Sequence, residues 1–135
     1  MDGDDNTFWA TSNEGIGAWI KINFKRAYWI EKLEIKHRSQ SGNAIERFKE
    51  ITIEYSNGHT VTHVLNNDAL TWFEIFLSNS PNTEFVKIRA TSVYGGPHPG
   101  FAEVKITGCP KSMLEITYLY TTLRIIHLKG VIGFF

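Results

Sequence analysis

Phe48-Lys49-Glu50-Ile51-Thr52-Ile53-Glu54-Tyr55-Ser56-Asn57-Gly58-His59-Thr60-Val61-Thr62-His63-Val64-Leu65 is the stretch on which the fold turns. Ile51, Ile53 and Tyr55 alternate with Thr52, Glu54 and Ser56, a period of two that sends apolar side chains to one face of an extended chain. Asn57-Gly58 then supplies residues that tolerate the positive φ angles of a type I′ turn, whose twist matches the flanking strands. Phe48–Tyr55 and Thr60–Leu65 therefore read as a β-hairpin. His59 and His63 share a parity on the returning strand and read as surface residues.

The same period recurs on both sides of the hairpin. Ile20, Ile22 and Phe24 alternate with Lys21, Asn23 and Lys25; Leu33 and Ile35 with Lys32, Glu34 and Lys36; Val86, Ile88 and Ala90 with Lys87, Arg89 and Thr91; and Val104 and Ile106 flank Lys105. Helices would need apolar residues three and four apart, and these runs do not provide them. Between the runs lie turn-forming clusters at 39–43, 66–68, 78–82 and 95–100. Short strands at this spacing, without helical periods between them, specify an all-β fold, either a two-sheet sandwich or a barrel. The pattern closes at Gly108-Cys109-Pro110. Residues 1–109 are expected to form one domain, and 110–135, where alternation is lost, an unassigned tail that is an added strand or helix or a segment that does not pack.

Length and charge narrow the function. A chain of 135 residues suits one domain with a real core. Its 14 basic residues balance its 14 acidic ones, and Lys and Glu alternate along solvated faces (Glu31, Lys32, Glu34, Lys36). A nucleic-acid binder would show an excess of clustered cations, so none is expected as a partner. The single cysteine, Cys109, allows no disulfide within the chain and has no sequence neighbour that would make it a nucleophile. The acidic start Met1-Asp2-Gly3-Asp4-Asp5 is unlike the basic opening of a signal peptide, and the apolar stretch 113–135 is interrupted by Glu115, Arg124, His127 and Lys129. No nucleophile elbow, zinc-protease motif or phosphate loop is present, so the chain is expected not to be an enzyme.

Two groups of residues carry chemistry. Asp2-Gly3-Asp4-Asp5-Asn6-Thr7 is a tight turn rich in oxygen donors, which hard cations such as Ca²⁺ use six to eight at a time. On composition alone an acidic turn capped by Asp and Thr is the favoured reading. Sugars are held by planar hydrogen-bonding groups beside an apolar ring. His37, Arg38, Asn43 and Arg47 bracket one loop with such groups, and Tyr94 and His98 lie in another. For Arg38 the competing reading is a structural ion pair that ties a loop to a carboxylate. Trp9 and Trp19, flanked by apolar residues, are expected in the core, and packing is the expected role for Trp29 and Trp72.

In order and spacing, Asp2-Gly3-Asp4 with Thr7 and Trp9, then Gly17-Ala18-Trp19-Ile20-Lys21-Ile22-Asn23-Phe24, resembles the discoidin domains, also called coagulation factor 5/8 type C domains, and the similar carbohydrate-binding modules of family 32. The likeness continues through Ile30–Arg38, Phe48–Gly58 and Val86–Val93 to Gly100–Gly108. It implies a galactose-binding-domain-like, antiparallel jelly-roll β-sandwich that binds rather than catalyses, set in a larger extracellular or secreted protein; intracellular scaffolding is a further alternative that the absence of paired cysteines permits. It also implies a structural Ca²⁺ held by Asp2, Asp4, Thr7, Ala102 and Glu103, with Asp4 and Ala102 giving backbone carbonyls. The family has a further strand before the Asp-Gly turn, so this sandwich is expected to lack its first strand. Arg38 and Arg47 look similar to the paired arginines that contact sugar in fucose- and galactose-binding members, at a different spacing. The histidine of those lectins has no counterpart where Asn13 and Glu14 stand. A glycan or glycoprotein is the expected partner, with a protein- or membrane-adhesion role as the alternative. The loops at 39–43 and 95–100 carry no Leu, Phe or Trp, which counts against lipid.

Overall fold

In a computed structural model that describes residues 7–38 and 46–111, the chain is an antiparallel β-sandwich. Its strands are β1 (Trp9–Ala10), β2 (Trp19–His37), β3 (Phe48–Tyr55), β4 (Thr60–Val64), β5 (Trp72–Phe76), β6 (Asn82–Val93) and β7 (Gly100–Pro110). Residues 112–135, and with them most of the tail, lie outside the described residues.

The alternating runs around Ile22 and Leu33 form one 19-residue strand rather than two. The first part of β2 pairs with β6 from Trp19↔Arg89 to Asn23↔Phe85, and the pairing resumes at Tyr28↔Thr83. Phe24–Ala27 is thus a bulge, and there the strand turns from one sheet into the other. Beyond it β2 pairs with β7 on one side and β5 on the other. One layer is β4-β3-β6-β2 and the second is β1-β7-β2-β5, with β2 common to both.

The inward positions are those that alternation marks. Leu33, Ile35, Ile51, Ile53, Tyr55, Val86, Ile88 and Phe101 are buried between the layers. Parity also places Trp19 opposite to Ile20 and Ile22, so this tryptophan faces outward and is 45% exposed, contrary to the core position expected for it. Trp29, between buried Tyr28 and Ile30, is likewise exposed rather than packed. Trp72 lies half-buried under the ammonium groups of Lys36 and Lys105.

The hairpin forms with the expected pairing, Glu50↔Val64 to Glu54↔Thr60, but with a different turn. Gly58 has φ +83° while Asn57 does not enter the left-handed region, as a type I′ turn would require. Gly58 N–H donates to the Tyr55 carbonyl and Tyr55 N–H to the His59 carbonyl, both at 2.9 Å. This is a type I turn closed by a glycine bulge. His63 stands opposite buried Ile51 and is half-buried, so it faces the interior side of β4 rather than the surface, and desolvation lowers its pKa.

Candidate functional site

The ends of β1, β2, β4 and β6 and the starts of β3 and β7 all lie at one pole of the sandwich. The loops there are 11–18, the connection from β2 to β3, 65–71 and 94–99. Backbone bonds tie them to one another: Thr11 N–H to the Pro99 carbonyl at 3.0 Å and Tyr94 N–H to the Arg47 carbonyl at 2.9 Å.

Two of the expected ligand residues meet against loop 65–71. His37 ends β2 fully buried, tilted against the Phe101 ring at 6.2 Å. Its Nε2–H donates to the Asn66 carbonyl at 2.9 Å, which leaves Nδ1 as a bare acceptor, buried and without a hydrogen-bond partner among the described residues. Burial pushes its pKa down to about 4, with Arg47 adding a smaller push in the same direction. Arg47 donates through Nη1 to the Asn67 carbonyl at 2.7 Å and to the Asn67 Oδ1 at 3.1 Å, while its Nε is buried without a partner among the described residues. The Tyr94 hydroxyl donates to the Leu65 carbonyl at 2.7 Å and so anchors the root of the same loop. Asp68 shapes the rest of that loop, accepting from Leu70 N–H and from Thr71 Oγ1, both at 2.8 Å.

Arg38 stands apart from this pair. Its Nη1 lies 3.3 Å from the Glu46 carboxylate and donates to the His98 carbonyl at 2.6 Å, and the Phe8 ring covers the guanidinium at 4.5 Å. With side chains only 10% and 5% exposed, Arg38 and Glu46 form an almost buried ion pair. Gly96 lies over that pair with φ +75°, where any side chain would overlap the Glu46 methylene. The ring of His98 turns to loop 11–18, its Nδ1 lying 3.1 Å from the Thr11 carbonyl and 3.3 Å from the Asn13 N–H. Asn43 lies outside the described residues.

Of the expected cation ligands, Thr7 is exposed just before β1, and Ala102 and Glu103 are buried in β7 beside it. Asp2 and Asp4 lie outside the described residues. Among the described residues no three His, Cys, Asp or Glu side chains cluster as a metal site, and no helix is long and apolar enough to cross a membrane.

Asn67 and Glu46 were not singled out from the sequence, although hairpin arithmetic locates the first. Leu65 N–H continues the β3–β4 ladder onto the Lys49 carbonyl. Two residues further along each strand, that register sets Asn67 opposite Arg47.

The sequence model of the F5/8 type C domain matches residues 1–104. No curated protein matches the chain in sequence. The chain is similar in structure to the family 32 carbohydrate-binding module of C. perfringens NanJ, solved in complex with galactose. The TM-score is 0.65 at 18% identity, over 78% of this chain and 79% of that one. It is also similar to a Streptococcus pneumoniae fucose binding module, at TM-score 0.57 and 22% identity over 89% of this chain and 82% of the module. A third likeness is to the mycobacterial arabinofuranosyltransferase AftD, at TM-score 0.64 and 24% identity. It covers 80% of this chain but only 8% of that protein.

Proposed function

Because the chain belongs to the F5/8 type C domain family, we propose that it is a non-catalytic binding module that takes a glycan at its loop pole. The observation that carries this reading is the cluster around His37 and Arg47. Each holds a buried polar atom without a partner among the described residues, His37 Nδ1 and Arg47 Nε, beside loops fixed by backbone bonds. Buried polar groups are ordinarily hydrogen-bonded, so an acceptor and a donor left unmet at one pole suit a ligand rich in hydroxyls. That the NanJ module was solved with galactose, and that the pneumococcal module binds fucose, supports the same class of ligand. Arg38, held between Glu46 and His98, positions loop 94–99 rather than reaching for sugar. The test is a glycan array probed with protein shown to be folded. Binding that Arg47→Ala removes, at unchanged melting temperature, is the expected result; an array without hits sinks the reading.

A Ca²⁺ ion held by Asp2, Asp4, Thr7, Ala102 and Glu103 fits one feature of the fold. Glu103 and Ala102 are buried in β7, the strand that pairs with β1, and β1 follows the opening turn directly in sequence. When bound, the cation would tie the first turn to the last strand. Millimolar Ca²⁺ is then expected to raise the melting temperature over that in chelator, because binding to the native state alone stabilises it.

A second reading, an adhesion module for protein or membrane, draws on Ile16 and Leu70, 69% and 82% exposed on loops 11–18 and 65–71. Liposome sedimentation separates the two: binding that requires phosphatidylserine and is lost in Leu70→Ser favours adhesion. Either role suits a module displayed outside the cell as part of a larger protein.

A further inference from the structure

The outer face of the sheet β4-β3-β6-β2 carries a charge arrangement that the loop pole does not explain. Lys21 stands directly opposite Lys87, and Trp19 opposite Arg89. Residues so paired hold their Cβ atoms about 5 Å apart, a spacing at which like charges repel. Each ammonium crosses to a ring on the other strand, in opposite directions from the shared row. Lys21 Nζ sits 3.7 Å from the centroid of the Phe85 ring, and Lys87 Nζ sits 4.8 Å from that of Trp19. The ring faces hold both cations in place. Arg89 reaches the Gly17 carbonyl at 3.4 Å, a long contact that engages one of its five donors. The acids of this face are set to the far side, on β3. Glu54 lies 3.8 Å from Lys87, and Glu50 accepts from Thr91 Oγ1 at 2.7 Å.

We propose that this patch is a second binding site, for a sugar residue that bears a carboxylate or a sulfate. The anionic group lies between Lys87 and Arg89 beside Trp19, taking a forked pair of hydrogen bonds from Arg89, while Lys21 adds its charge from the neighbouring row. The apolar face of the ring lies against the exposed part of Trp19. Binding relieves the repulsion built into the Lys21–Lys87 pair, so the site favours an anion over a neutral sugar. A long phosphate chain is disfavoured because Glu54 and Glu50 flank the cations on one side and would repel its next charges. The proposal rests on the glycan-binding reading above but uses other residues on another face.

Calorimetric titration of the full chain tests it with four probes: an oligogalacturonate for carboxylate, a chondroitin sulfate oligosaccharide for sulfate, neutral galactose, and oligothymidylate. At least one acidic sugar is expected to bind, with affinity falling as salt rises. Lys21→Gln and Lys87→Gln are each expected to weaken that binding about tenfold. Lys21→Gln should also melt no lower than the parent, since it removes a repulsion, and should leave loop-pole binding intact. The proposal is overturned if neither acidic sugar binds, if the double Lys21→Gln, Lys87→Gln variant binds them undiminished, or if oligothymidylate binds more tightly. Galactose binding without acidic-sugar binding would refute the patch alone. Acidic-sugar binding through Lys21 and Lys87, with no neutral sugar bound on any array, would refute the loop-pole reading and leave the patch standing.

Discussion

At the scale of single residues, His37 is the most consequential side chain of the loop pole. Its pKa is about 4 in the fold, against 6.5 for a free histidine. Below pH 6.5 the unfolded chain therefore takes up a proton that the folded chain refuses. The stability this neutral histidine supports is whole above pH 6.5 and drains away as pH falls to about 4. The shift corresponds to roughly 3 kcal/mol. Urea unfolding at pH 7 and pH 4.5 should show the loss, and His37→Phe should flatten that limb; an unaltered slope would refute the assignment. Glu46 makes a complementary case. Glu46→Ala leaves Arg38 charged and almost buried, so the chain is expected to lose about 3 kcal/mol, read by the same unfolding curves.

Among the elements, β2 departs furthest from what its sequence advertises. Alternation marks both of its halves, but Phe24-Lys25-Arg26-Ala27 breaks the period and Trp29 follows in an outward position, so the join is not legible. The bulge is a tertiary solution: a sandwich corner demands it, whereas no local propensity does. β5 was hidden for another reason. Phe73 and Ile75 face the core, but Trp72 and Phe76 alternate with them on the other face, so there is no contrast for a period to reveal. Trp19 shows the opposite failure, because the parity of Ile20 and Ile22 already placed it outside. Since β2 belongs to both layers, the layers should not unfold separately. Ile22→Ala and Ile35→Ala, one in each half, are each expected to cost about 2–4 kcal/mol and to preserve a single transition seen alike by far-ultraviolet dichroism and tryptophan fluorescence. Two separated transitions would contradict the shared strand.

Seen as a whole molecule, the sandwich was legible because its strands bury one face each, and that contrast is written residue by residue. The candidate site was only half legible. Arg47 and Tyr94 are visible as loop residues, but their partners Asn67 and Leu65 come from across a hairpin, and the ion pair of Arg38 with Glu46 spans a loop whose path the sequence does not encode locally. Charge balance is equally a property of the whole. With 14 basic and 14 acidic residues the chain carries no net repulsion near neutral pH. The edge strand Thr60–Val64 holds no Lys, Glu or Pro to discourage pairing with another chain. Val64→Lys, at a position 60% exposed on that edge, is accordingly expected to raise solubility at pH 7, measured by light scattering against concentration.

The turn between β3 and β4 also bears on how the protein ages. Asn-Gly is the dipeptide most prone to deamidation, in which the glycine amide nitrogen attacks the asparagine side-chain carbonyl, ammonia leaves, and water later opens the ring to aspartate or isoaspartate. Here the Gly58 N–H is engaged by the Tyr55 carbonyl at 2.9 Å, and Asn57 Oδ1 accepts from the His59 N–H at 3.0 Å. Nucleophile and target are both restrained, so Asn57 should last in the folded protein and decay quickly once the hairpin opens. Peptide mass mapping after storage would thus date the unfolding history of a sample from one side chain.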